Sequence, residues 1–159
     1  MKWKRLGLVA LVILVGSVVT LALFSLFARR PTNLGVRDRR LTPCPDTPNC
    51  VCTQTADDAH RIEPLAYDDT AEEAMARLKA ALATLPRTRV VTETPDYLHA
   101  ECTSLVFRFV DDVEFLLDRE RKVIHFRSAS RVGHSDLGVN RRRMEALRHA
   151  FSDGTAAGR

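Results

Sequence analysis

Hydrophobic and polar positions divide the chain into three regimes. Residues 6–28 carry no charge and are almost entirely apolar. A helix needs about 20 such residues to cross a bilayer core, so this run predicts a transmembrane helix. Further on, apolar residues fall at Ala71, Ala74, Met75, Leu78, Ala81, Leu82 and Leu85. That is the stripe of an amphipathic helix. Thr70-Ala71-Glu72-Glu73 supplies a capping box in front of it, and Pro86 stops it. Beyond Pro86 the period falls to two. Residues 89–94, 98–103, 105–117 and 123–128 read as strands joined by short turns, which implies an antiparallel meander. A final helix runs from Leu137 or Gly138 to Phe151, capped by Ser135 or Asp136, with Met144, Leu147 and Phe151 on one face.

The predicted fold class is α+β. An antiparallel sheet of about four strands carries two main helices on one face, preceded by one transmembrane helix. Residues 1–28 form the membrane anchor and 29–59 a Pro-rich, Cys-containing stalk. Residues 60–151 form the folded domain, and 152–159 a disordered tail. The part beyond the anchor is long enough for one core and too short for two.

Charge changes the picture of partners. The chain has a formal net charge of +4. Residues 1–40 hold eight Lys/Arg and one acid, Asp38, and the remainder holds 16 basic and 19 acidic residues. The basicity therefore flanks the anchor and the folded domain is mildly acidic, which argues against a nucleic-acid partner. Arg29, Arg30, Arg37, Arg39 and Arg40 follow the apolar run and favour a cytoplasm-facing adaptor. The cysteines favour the opposite side.

All four cysteines, Cys44, Cys50, Cys52 and Cys102, lie beyond the anchor. Cys44 and Cys50 bracket a loop stiffened by Pro45 and Pro48, which a disulfide could close. The C-x5-C-x-C spacing does not match the paired knuckles of zinc sites. Cys102 is either a partner for Cys52 or an inert buried thiol.

The densest polar cluster spans residues 127–143. Arg127, Ser130, Arg131, Asp136, Asn140 and Arg141 are candidate ligand-binding residues there, with Asp111 and Glu114 as acidic partners. Arginines at a helix start oppose the macrodipole, and an anion bound by them would compensate. An Arg–carboxylate network between the sheet and the last helix explains the same residues without a ligand. A turn near Arg119-Glu120 sets the acidic run opposite Arg127, and Asp111 shares parity with Val113. No catalytic residue, cofactor or metal is predicted. The chain has no nucleophile elbow, phosphate loop or paired-His motif.

Several pieces occur together in order: residues 30–36 (RPTNLGV), 43–51 with Cys44 and Cys50, 108–115 (RFVDDVEF), 127–133 (RSASRVG) and 135–141 (SDLGVNR). With them the chain resembles the bacterial family called domain of unknown function 1499, over about residues 30–151. The resemblance implies no reaction. It implies an exported or membrane-associated domain, and Cys52 and Cys102 fall outside its pattern. The expected function is a membrane-anchored envelope protein acting as a non-enzymatic binding or scaffolding module. The alternative is an anion-binding or hydrolytic site at residues 127–141. The expected partners are the membrane through residues 6–28 and an envelope protein or anionic small molecule. The expected location is the inner membrane, with the folded domain periplasmic.

Overall fold

A computed structural model describes residues 2–26 and 28–156. The apolar N-terminal run folds as α1, Lys2–Leu26. Among the described residues, no helix is long and apolar enough to cross a membrane. The transmembrane helix expected at residues 6–28 is therefore not supported. Charged Lys2, Lys4 and Arg5 occupy the first turn, and Phe27 lies outside the described residues.

The sheet is larger than the four strands expected. The first strands, β1 (Val36–Arg37) and β2 (Arg40–Leu41), form a separate two-stranded hairpin. The main sheet has six strands: β3 (Cys50–Cys52), β4 (Leu65–Ala66), β5 (Thr88–Glu93), β6 (Tyr97–Thr103), β7 (Val110–Asp118) and β8 (Val123–Ser130). Its order is β3-β8-β7-β6-β5, with β4 sharing the β8 edge. β3 is too short to display a period of two, which is why the pattern missed it. β3 lies within residues 29–59 and pairs with β8, so that part of the expected stalk belongs to the main sheet.

Residues 104–109 form a loop, although their alternation reads as strand. Ser104 and Phe109 close it with hydrogen bonds of 2.8 and 2.9 Å. Phe107 and Phe109 stack on each other at 5.5 Å between centroids. Their period of two reflects that stacking and not a core-facing pleat.

The capping box forms as the sequence requires. Thr70 Oγ1 accepts from Glu73 N, and the Glu73 carboxylate accepts from Thr70 N. It starts α2, Ala71–Thr84. The last helix, α3, covers Val139–Ala156. The tail expected to be disordered from Ser152 is thus helical to Ala156, and residues 157–159 lie outside the described residues.

The register fixes the two faces of the sheet. Asp118 pairs with Val123 and Asp111 with Ser130. Val113, Phe115 and Leu117 of β7 therefore share a face with Ile124, Phe126 and Ser128 of β8. Leu98, Ala100 and Cys102 of β6 join them. These apolar residues meet Met75, Leu78 and Leu82 of α2 and Met144, Leu147 and Phe151 of α3 in one core. Among the described residues no helix packs on the opposite face, and its residues are of a different kind.

Candidate functional site

The helix-free face carries Tyr97, His99 and Glu101 from β6, Asp112 and Glu114 from β7, and Arg127 from β8. His99 is paired with Glu114, Glu101 with Asp112, and Glu114 with Arg127 along the rows of the sheet. Glu114 is fully buried and Asp112 nearly so. Burying carboxylates is costly unless each finds donors, and here each does. Asp112 accepts two bonds from Arg131, at 2.8 Å from Nε and 2.7 Å from Nη2, and sits 2.8 Å from His99 Nε2. Glu114 accepts from the Tyr97 hydroxyl at 2.8 Å and pairs with Arg127 at 3.3 Å. Glu101 is shared by Arg131, Arg30 and Arg89, at 2.5, 2.6 and 2.8 Å.

The segment before the sheet completes this network as a strap. Arg30 reaches across to Glu101, and five residues later Gly35 N–H donates to Glu114 at 2.6 Å. Gly35 has φ +107°, a conformation that glycine adopts without a Cβ clash. The β1–β2 hairpin follows, with Arg39 paired to Glu120 at the far end of β7.

Electrostatics follow from these contacts. Burial pushes the Glu101 carboxyl up, but the hydrogen bonds from Arg131, Arg30 and Arg89 outweigh it and hold the group at about 2. Asp112 is likewise lowered, with burial opposed by Arg131 and His99. Hydrogen bonding to Asp112 and Glu101 holds the Arg131 guanidinium well above its ordinary value, against burial. Burial, then the Glu114 charge, pushes the Tyr97 phenol far up. All of these shifts keep the groups in the charge states they need for pairing at neutral pH. None of them prepares a group to exchange protons near pH 7, as a general acid or base would need to do.

The eight candidate residues do not converge. Arg127, Arg131 and Glu114 belong to the helix-free face. Asp111, Ser130 and Asn140 lie on the other side, Asn140 in α3 and the other two on the strands it meets. There Arg143 pairs with Asp111 at 2.5 Å, tying the helix to the sheet. Asn140 Nδ2 donates to Ser130 Oγ and to Asn49 O, both at 3.0 Å, and Asn140 Oδ1 accepts from Ser128 at 2.5 Å. Asp136 caps α3, accepting from Asn140 N at 2.6 Å and Gly138 N at 2.9 Å. Its carboxylate supplies the compensation at the helix start that an anion was expected to give. Arg141 points elsewhere, donating to Arg61 O and Ala59 O. It lines an open pocket of about 600 Å³ with Arg61, Arg148, Asp58, Glu63 and Glu145. Equal numbers of cations and carboxylates give that pocket no attraction for an anion.

His99, Tyr97, Glu101 and Arg30 are members of the network that the sequence reasoning did not select. Their signal was parity: His99 and Glu101 alternate with Leu98 and Ala100, so they share whichever face the core does not take. Two polar atoms of this face, Arg127 Nε and His125 Nε2, are buried without a hydrogen-bond partner.

Cys44 and Cys50 form a disulfide, with Cα atoms 5.7 Å apart. Cys52 and Cys102 are free and buried. Cys52 pairs with Arg127 on the helix-free face and Cys102 with Asp111 on the core face, so the sheet separates them. Burial raises both thiols, the environment of inert cysteines. Among the described residues, no group of three His, Cys, Asp or Glu is placed to hold a metal ion.

The comparison with protein families gives one result. A model described as "Protein of unknown function (DUF1499)" matches residues 40–151. No curated protein matches the chain.

Proposed function

The chain belongs to the DUF1499 family, and from that premise we propose a non-enzymatic binding or scaffolding module of the cell envelope, working in an oxidising compartment such as the periplasm. The observation that carries this reading is the pairing of the charged groups on the helix-free face. Asp112, Glu114 and Glu101 are each engaged by arginines or by a tyrosine and a backbone N–H. Groups so committed serve rigidity and shape, and a substrate would have to displace them. The Cys44–Cys50 disulfide supports the compartment, because such bonds persist where thiols are not kept reduced. The partner in this reading is an envelope component that meets the domain's surface.

The alternative, an anion-binding or hydrolytic site at residues 127–141, has little support in a candidate set spread over both faces. A thermal-unfolding screen of the full chain against phosphate, sulfate, citrate and nucleotide separates the two readings. The expected result is no stabilisation beyond the salt effect, with Arg131→Ala unfolding at a lower temperature in every condition. A rise in midpoint with one anion that Arg131→Ala abolishes, while its fold is retained, would overturn the binding-module reading.

A further inference from the structure

The strand register gathers several loops at one end of the sheet. Thr103 pairs with Val110, so the β6–β7 loop projects beyond that rung. Thr103 N–H donates to Arg87 O, which brings the α2–β5 loop alongside. Arg131 N–H donates to Val110 O, which brings the β8–α3 loop to the same place. Asn49 Nδ2 donates to Gly133 O at 2.6 Å, adding the disulfide loop. The chain also arrives here, since Arg30 reaches Glu101, two residues from Thr103.

Among the described residues, these loops expose large apolar side chains. Leu105 is 69% exposed, Val106 57% and Leu137 84%. The stacked Phe107 and Phe109 stiffen the loop that presents the first two. Exposed Arg87, Arg108 and Arg142 stand among them. Arg142 also braces the tip, donating to Leu137 O at 2.8 Å. Of the acids on these loops, Asp136 is engaged with backbone N–H groups at the start of α3, and Asp46 is exposed.

We infer that this loop end of the domain docks on an anionic lipid surface, with Leu105, Val106 and Leu137 entering the headgroup–acyl boundary and the arginines meeting lipid phosphates. The inference rests on the reading of the chain as a binding module and names its partner. Three features favour lipid over a protein groove-binder. The apolar residues sit on projecting loop tips and not in a groove. They are mixed with arginines, which is the composition of a segment lying in a membrane interface. The chain preceding the domain arrives at the same end and carries the exposed leucines and valines of α1. The docking does not require that helix to cross a bilayer.

The test is photo-crosslinking of the full chain to vesicles of phosphatidylcholine and phosphatidylglycerol containing a trace of diazirine-tailed lipid, with labelled peptides mapped by mass spectrometry. The expected label falls on residues 104–109 and on Leu137 as well as on α1. It should weaken when phosphatidylglycerol is omitted. The double substitution Leu105→Asp and Val106→Asp should lower the loop label roughly tenfold while the thermal midpoint stays unchanged, because both side chains are exposed. Label confined to α1, or loop label that the double substitution leaves intact, would overturn the inference. The anion screen reads a different property, so either proposal can fail without the other.

Discussion

The two faces of the central sheet are made by the same strands and held by opposite means. On one, Phe115 and Phe126 lie 6.2 Å apart under α2 and α3, and close packing with loss of apolar surface to water does the work. On the other, one position along in β7, Asp112 and Glu114 are as deeply buried, yet only because arginines, a tyrosine and a glycine N–H reach them. The apolar face tolerates an approximate fit, since hydrophobic burial has no direction. The polar face has no such latitude: remove one partner and a charge is left in a buried place. A single strand pair thus carries a forgiving surface and an unforgiving one.

The largest expected effect lies on the apolar side. Phe126→Ala should cost about 3–5 kcal/mol, read as a lower urea midpoint at unchanged slope. Asp112→Ala should cost about 3 kcal/mol, because Arg131 and His99 lose a buried partner. Adding Arg131→Met to it should recover part of that loss. A cost for Asp112→Ala below about 1 kcal/mol would mean that the polar face behaves as solvated surface, and the contrast would collapse. Reduction of the Cys44–Cys50 bond should cost about 2 kcal/mol for so short a loop, measured by denaturation with and without a reductant.

The finest distinction is in acid. A carboxylate held below its ordinary value contributes stability that is complete above about 4.5 and disappears as pH falls through about 2. Wild type should therefore exceed Glu101→Gln in stability at neutral pH and lose that advantage over this window, in urea titrations run at stepped pH. A constant gap between the two proteins down to pH 2 would show that Glu101 is not held by its arginines in solution.

Much of this was legible in the alternation of residues. The acid run opposite Arg127 follows from parity and a turn near Arg119, and Glu114 indeed pairs with Arg127 in register. The inward Asp111 with a basic partner follows too, and Arg143 provides it. What was not legible depended on long-range pairing. β3 is three residues long, and nothing in Cys50-Val51-Cys52 announces that it will lie against residues 127–129. The reach of Arg30 and Gly35 to the sheet spans more than 70 residues of sequence. Residues 105–109 misled because two rings stacked on each other imitate a pleat. The membrane-crossing anchor was drawn from the length and apolarity of residues 6–28, and among the described residues no helix is long and apolar enough to cross a membrane.

The placement of β3 and β4 has a consequence for the order of events during synthesis. Both pair with β8, near the other end of the chain. A polypeptide appearing N-terminus first therefore holds two short strands with no partner until about residue 130 has emerged, and contacts of such separation close slowly. The Cys44–Cys50 ring needs only the six-residue step between its cysteines. It can shut early, withdrawing both thiols from exchange with other chains and leaving β3 a pre-shaped segment waiting for its template.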